Sequence, residues 1–587
     1  MKKRYNTEIS ISNVDETIHL AGWVAKKRDL GGLIFIDLRD RTGIIQLVVN
    51  PENENYELAG TLKNEYVIEV EGKVVKRSNV NPNIPTGEIE VIVEKLDILS
   101  TCEELPFTIT DVVNTSDDNR LKYRYLDIRR NKLRENLVLR SEILHFLRNK
   151  MYDLGFTEVQ TPILTASSPE GARDFVVPSR LYKGKFYALP RAPQIYKELL
   201  MVGGFQKYFQ IAPCFRDEDA RADRTLEFYQ LDLEMSFVEE DDVLNIGEEI
   251  FYDTFTKFSN KKVSPRPFRR ISYRDAIDLY GSDKPDLRYG MEIQDITDVF
   301  KSTEFTVFKS VIEESGIINA IVAENATDKF SRKDIDKLTD FVKSKKATGL
   351  AYLKIDDEIT GSIAKVISEN EINELKNKLN LKKGDLVFIV SGNRKIVKPA
   401  LGSLRIEVAK SLDLIDPNRL ELCIINDFPM FEYDEQKKKW DFCHNPFSLP
   451  HGGIEDYKTK SPEEILAYQY DFVCNGNEMA SGAIRNHDLD SLAKGFEIVG
   501  YTREEVENRF KSIFTAFKYG CPPHGGMAPG IDRIIMLIQD EPNLREVQAF
   551  PPNASGQDLM MGSPSDLTQE QLDELGIIIN KEEEEHE

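Results

Sequence analysis

Apolar and polar positions alternate in short runs at residues 17–26, 33–40, 44–50, 66–75 and 88–98. A period of two predicts strands with one buried face each. A helical stretch at 55–64 separates the third run from the fourth. From 137 to 154 the period becomes helical and stops at Gly155, and 156–162 then reads as a strand ended by a proline. Another apolar run, 208–212, and an alternating run, 227–234, flank a charged loop. Between 289 and 415 the character changes: lysine-rich helical segments (331–344, 371–379) alternate with short strands (350–355, 385–391).

Five strands with a helix after the third predict an OB-fold β-barrel, a fold whose exposed face commonly receives single-stranded nucleic acid. A chain of 587 residues exceeds a single core. The expected organisation is multidomain α+β: a barrel at 1–102, a hinge at 103–135, a second domain split into 136–288 and 416–562, an inserted α+β domain at 289–415, and an extension at 563–587. Hydrophobic content of 41% and charged content of 30% suit a soluble globular protein. No apolar run nears the ~20 residues that span a bilayer. The basic start Met1-Lys2-Lys3-Arg4 lacks the apolar stretch of a secretory leader. Six widely spaced cysteines form no C-x-x-C pair, and a reducing cytoplasm is the expected location. A net charge of −23 argues against indiscriminate nucleic-acid binding while leaving room for a specific RNA partner. Residues 581–587 form an acidic tail, expected to be solvated.

The richest chemistry lies in Phe215-Arg216-Asp217-Glu218-Asp219-Ala220-Arg221-Ala222-Asp223-Arg224, seven charges in ten residues. The flanking runs predict two antiparallel strands joined by this loop, with Gln230, Asp232 and Glu234 on one face of the second. An arginine at the end of the first strand suits a phosphate or carboxylate. Taken alone, the segment also reads as a solvated charged hairpin. Downstream, Gly525-Gly526-Met527-Ala528-Pro529-Gly530-Ile531-Asp532-Arg533 supplies a glycine-rich strand, an arginine and a helix start. Together the two segments resemble motifs two and three of class II aminoacyl-tRNA synthetases, with an antiparallel-sheet catalytic domain. The helix-glycine-strand-proline pattern resembles motif one, which in that family builds a homodimer interface. Gly22-Trp23-Val24, Phe35-Ile36-Asp37, Pro169-Glu170-Gly171-Ala172-Arg173-Asp174-Phe175 and Gly281-Ser282-Asp283-Lys284-Pro285-Asp286-Leu287-Arg288 narrow the resemblance to bacterial-type aspartyl-tRNA synthetases, and the 289–415 insertion fits that type.

The resemblance implies ATP-dependent attachment of L-aspartate to tRNA-Asp through an aspartyl-adenylate. It assigns Arg485 and Lys197 to the aspartate side-chain carboxylate, Gln194 and His444 beside them, and Glu170 and Asp232 to the ammonium. Asparagine is expected to leave two buried cations uncompensated. Residues 167–174 resemble a flipping loop. Arg216 is expected to bridge the α-phosphate and the aspartate α-carboxylate, and Arg533 the γ-phosphate, so both are the catalytic candidates. Asp217, Glu218, Thr225, Glu478, Gly530, Ile531 and Asp532 complete the ATP set. Asp471 and Glu478, seven apart, are the implied Mg²⁺ carboxylates, and two helical turns would bring them onto one face.

For RNA, Phe35 is a stacking platform, Gln46 and Glu90 are readers of base edges, Arg28 contacts phosphate, and Arg221 and Arg224 contact the acceptor stem. Judged singly, Phe35 is equally a barrel-core residue, Lys197 a surface lysine, and Arg485 an ordinary ion-pair partner. Leu30, ahead of Gly31-Gly32, lies in the loop that influences whether tRNA-Asn is charged as well as tRNA-Asp. That relaxed enzyme is the alternative reading. Departures from the family pattern fall at Ala192, Thr225, Asn445 and Ala480-Ser481-Gly482.

Overall fold

The computed structural model describes residues 3–167 and 173–580. It divides into two compact units, 1–119 and 120–587.

In the first unit, β1 (Thr17–Leu30), β2 (Leu33–Arg39), β3 (Ile44–Val49), β4 (Val67–Lys76) and β5 (Ile89–Ser100) close a barrel in the order β1-β2-β3-β5-β4. The short helix α1 (Tyr56–Thr61) lies between β3 and β4. Period two decides what is inside: Ile34, Ile36 and Leu38 enter the core, while Phe35 and Asp37 stay half-buried on the outer face. Gly31 and Gly32 take φ of +65° and +85°, the left-handed geometry that a tight hairpin between β1 and β2 needs.

The 103–135 segment is not one hinge, because residues from 120 onward belong to the second unit. Arg124 and Arg130 bond to Asp127 at 2.7 and 2.6 Å, and Arg120 reaches Glu546 at 2.8 Å. A run of arginines reads as solvated, but here two carboxylates compensate the guanidiniums and the segment is buried.

Helix α2 (Asn131–Asp153) then runs to Gly155, whose φ is +81°. The strand expected at 156–162 shortens to β6 (Thr157–Glu158). With β7 (Lys207–Phe215), β8 (Glu227–Ser236) and β9 (Arg269–Ser272) it contributes to a large sheet.

The chain next builds a separate five-stranded antiparallel sheet from β10 (Gln294–Asp295), β11 (Ile317–Ala323), β12 (Ala351–Ile355), β13 (Ile359–Gly361) and β14 (Asp385–Gly392). Its spatial order is β10-β11-β14-β12-β13. The helix α4 (Arg394–Ser411) buries Val397, Leu401, Leu404 and Val408 against Ile321 and Phe388 of this sheet.

The chain returns to the large sheet as β15 (Leu422–Asn426), β16 (Gln469–Cys474), β17 (Asn477–Ile484) and β18 (His524–Pro529), followed by α5 (Ile531–Gln539). The eight strands run β9-β15-β16-β17-β18-β8-β7-β6. Interior neighbours are antiparallel, and only the two edge pairs are parallel. Helices α2 and α5 cover one face through Ile143, Leu147, Ile534 and Ile535, packed on Phe209, Leu231 and Leu233.

Candidate active site

A chamber of about 1020 Å³ in the second unit is lined by Lys197, Arg216, Arg485 and Arg533 together. Strand β8 contributes Gln230 and Asp232, and α3 (Gln194–Val202) contributes Gln194 and Lys197. The four cations expected to share one site therefore do so.

At one end, Lys197 Nζ lies 3.1 Å from both Asp232 Oδ2 and Glu234 Oε2. Arg485 donates to Glu234 through Nε and Nη2 at 2.9 and 3.2 Å. Glu234 was given no role from sequence, although its place on the Gln230–Asp232 face was the signal for one. A Cβ on Gly526 of the neighbouring β18 would sit 2.2 Å from its carboxylate, so only glycine leaves it room. Burial would raise the Glu234 carboxyl, but Arg485 and Lys197 outweigh it and hold it at about 2. The cations are thus already compensated, which corrects the expectation of two bare charges awaiting a ligand.

Asp232 is raised by burial and by Glu234. Its Oδ1 is buried without a partner, an acceptor for a cationic ligand group. Behind them Glu198 accepts from Gln194 Nε2 and from His524 Nε2. Burial works against a charged His524, yet its contacts with Cys521 and Glu198 raise it to about 10.

At the other end, Arg216 has no ion pair among the described residues, and its guanidinium stacks 4.9 Å over Phe228. Burial lowers its affinity for its proton. An unpaired, half-buried guanidinium is a ready anion site. Arg533 donates to the Glu478 carbonyl at 2.6 Å and to the Asp223 carboxylate at 3.4 Å. Glu218 pairs with Arg224.

Asp471 and Glu478 do share a face, though not of a helix: they lie on one side of the β16–β17 hairpin, which corrects the helical spacing. The register shifts between Phe472 and Val473, skipping Met479, so that Val473 opposes Glu478 while Asp471 opposes Ser481. That bulge turns Glu478 onto the face of Asp471, which regular alternation would forbid. Burial and the neighbouring Glu478 push Asp471 far above the usual carboxylate range, and its Oδ2 has no partner. Among the described residues no group of three or more metal-ligating side chains is present. Two crowded carboxylates with an orphaned oxygen fit a cation whose remaining ligands come from a phosphate.

The family model "tRNA synthetases class II (D, K and N)" matches residues 116–554, and an OB-fold nucleic acid binding domain matches 18–99. The chain belongs to the class II tRNA synthetases. It is 51% identical over 576 residues to "Aspartate--tRNA(Asp/Asn) ligase" of Phenylobacterium zucineum, covering 97% of each chain. It is 48% identical over 579 residues to "Aspartate--tRNA ligase" of Streptomyces coelicolor, covering 98% of each. The fold is similar to that of asparaginyl-tRNA synthetase from Pyrococcus horikoshii complexed with asparaginyl-adenylate: TM-score 0.58 and 20% identity over 94% of this chain and 98% of that one.

Within this class II synthetase the remaining expected residues divide. His444 opens into the chamber edge-on to Phe428, and burial lowers its imidazole. Glu218, Thr225, Glu478, Gly530 and Asp532 line the chamber. Four of these are already engaged: Thr225 Oγ1 donates to the Glu227 carbonyl, Asp532 pairs with Arg140, Glu218 with Arg224, and Glu478 with Lys284. Asp217 and Ile531 do not line it, because Asp217 faces solvent and the Ile531 side chain is spent in the apolar core. Glu170 and the centre of the 167–174 loop lie outside the described residues, as does the 581–587 tail.

On the barrel of the synthetase, Phe35 pairs in register with Arg28 and with Val48 on the outer face, and Leu30 is exposed at the hairpin tip. Gln46 is less free than a base reader would be: its amide donates to Glu90 and accepts from Arg77, each at 2.7 Å. Arg221 is exposed in the motif-two loop, and Arg224 is held by Glu218.

Proposed function

We propose that this synthetase attaches L-aspartate to tRNA-Asp at the expense of ATP. The observation that carries the reading is the Lys197–Asp232–Glu234–Arg485 cluster, with one acceptor left open, beside Arg216, which has no ion pair among the described residues. A free aspartate offers its side-chain carboxylate to the remaining N–H groups of Lys197 and Arg485, and its ammonium to Asp232 Oδ1. The amide of asparagine turns an NH₂ group towards those same donors, which wastes hydrogen bonds and favours the acid. The names of both curated relatives agree with the reading.

Aspartate first attacks ATP with an α-carboxylate oxygen. A bond to the α-phosphorus forms as the bond to the pyrophosphate oxygen breaks, giving aspartyl-adenylate. Arg216 bridges the approaching carboxylate and α-phosphate, and Arg533 holds the γ-phosphate, so that charge is met where it develops. Asp471 and Glu478 would hold Mg²⁺, which when bound would supply further charge neutralisation on the phosphates. The terminal adenosine 3′-hydroxyl of the tRNA then attacks the aspartyl carbonyl, and AMP leaves. Phe35, Arg28 and Leu30 form the anticodon face, and Arg221 and Arg224 meet the acceptor end.

A homodimer through α2 is supported by the exposed apolar side chains Val138, Tyr152, Ile163 and Leu164 on and after that helix. Six free cysteines and the absence, among the described residues, of any helix long and apolar enough to cross a membrane accord with a cytoplasmic enzyme.

The test is pyrophosphate exchange over all amino acids, followed by charging of purified tRNA-Asp and tRNA-Asn. Exchange with aspartate and charging of tRNA-Asp are expected, and exchange with any other amino acid instead sinks the reading. The second reading, charging of both tRNAs, is favoured by the Asp/Asn name of the Phenylobacterium relative, and equal rates with the two tRNAs would establish it.

A further inference from the structure

The loop 281–290 has received no role so far, yet one of its side chains lines the chamber. Lys284 places Nζ 3.3 Å from Glu478 Oε2 and 2.7 Å from Asp283 Oδ2. Its ammonium therefore stands against Glu478, whose carboxylate shares one face of the hairpin with Asp471.

The loop is held from the inserted sheet. Arg405 of α4 is buried and donates to the carbonyls of Asp286, Tyr289 and Gly290 at 2.9, 3.0 and 3.0 Å, with its guanidinium 4.2 Å over Tyr289. No carboxylate takes its charge in these bonds, so they fix the backbone of the loop. Lys398, two turns earlier on the same face of α4, donates to the Asp278 carbonyl at 2.9 Å. Gly281, with φ of +67°, nests against α4 so tightly that a Cβ would lie 2.1 Å from the Lys398 carbonyl oxygen. Within the loop, Lys284 N donates to Ser282 Oγ at 3.0 Å, and Asp286 holds Arg288 at 2.7 Å. The packing is continuous from the inserted sheet through α4 to Lys284.

We propose that Lys284 is a further nucleotide-site residue, the resident cation of the Asp471–Glu478 pair, and that Arg405 positions it. When the nucleotide arrives with its divalent cation, two cations compete for one acid pair, and the flexible ammonium turns to the phosphate oxygens nearby. The inserted region thereby supports the chemical step from behind. This rests on the reading that Asp471 and Glu478 receive the cation accompanying ATP.

The experiment uses the full chain and Mn²⁺ as the probe, titrated by electron paramagnetic resonance without nucleotide. Lys284→Met removes the competing charge, so Mn²⁺ is expected to bind about tenfold tighter. In aspartate-dependent pyrophosphate exchange the same variant is expected to raise KM for ATP by about tenfold, because a phosphate cation is lost. Arg405→Lys shifts both quantities in the same directions, and adds nothing when Lys284 is already Met. Unchanged or weaker Mn²⁺ binding by Lys284→Met overturns the proposal. An Arg405→Lys effect that persists in the Lys284→Met background overturns the positioning role. Tight Mn²⁺ binding by Lys284→Met that survives Asp471→Asn overturns the parent reading of the acid pair instead.

Discussion

Arg485 and Glu234 form a two-point ion pair inside the chamber wall, Nε to Oε1 at 2.9 Å and Nη2 to Oε2 at 3.2 Å, with both side chains buried. A ligand carboxylate then meets a guanidinium whose orientation is already set, so little is lost to ordering it on binding. The same pair makes the site fragile, because removing either charge leaves the buried cluster with Lys197 and Asp232 out of balance.

Arg485→Met is therefore expected to abolish aspartate-dependent exchange and to destabilise the fold by about 3–5 kcal/mol, the cost of a buried charge without its partner. Adding Glu234→Gln is expected to recover much of the lost thermal midpoint and none of the activity. Thermal melts beside exchange assays separate the two effects. A double variant no more stable than the single one would show that the pair is not the source of the loss.

Arg216 should behave oppositely. Among the described residues it has no ion pair to lose, so Arg216→Gln is expected to leave the melting temperature almost unchanged while lowering the exchange rate by about 10²–10³-fold, the scale for removing one preorganised electrostatic donor. A proportionate loss of stability would move Arg216 from chemistry to architecture.

His524 gives a pH signature. Its folded value of about 10 stands above the ordinary 6.5, so the folded state holds the proton more tightly. Its contribution is complete below 6.5 and is lost as pH rises through about 10. The slope in between approaches about 1.4 kcal/mol per pH unit at most. Melting temperatures from pH 6 to pH 10 are expected to fall in the parent protein and to flatten in His524→Gln, and parallel curves would refute the assignment.

On the barrel, Phe35→Ala is expected to weaken tRNA binding by about 1–3 kcal/mol, the worth of one stacked base. Amino-acid activation needs no tRNA contact there and should be unchanged. Filter binding and exchange measured on one preparation decide the point: equal loss in both would mean that the barrel side chain is structural.

Much of this molecule is written locally. Alternation at period two was enough for the five barrel strands, since each strand's buried face must be apolar whatever it packs against, and β1 to β5 fall within a few residues of the expected limits. The charged loop between β7 and β8 was legible for the same reason, as were Arg216 and the Asp232 face. The strand at 156–162 was overestimated, because the ladder with β7 pairs only Thr157 and Glu158 and ends where Val159 N donates to the Phe209 carbonyl.

The sequence alone thus determined the strands, the order of the motifs and the types of charge brought to the chamber, all carried by residues close together along the chain. Tertiary structure decided which charges neutralise each other. Glu234 and Arg485 are 251 positions apart and meet only because β8 and β17 both flank β18. It also decided the geometry of the acid pair, since the bulge at Met479 exists only where β17 is forced into register with β16. Pairing and register depend on the partner strand as much as on the strand itself, and no run of residues read singly carries them.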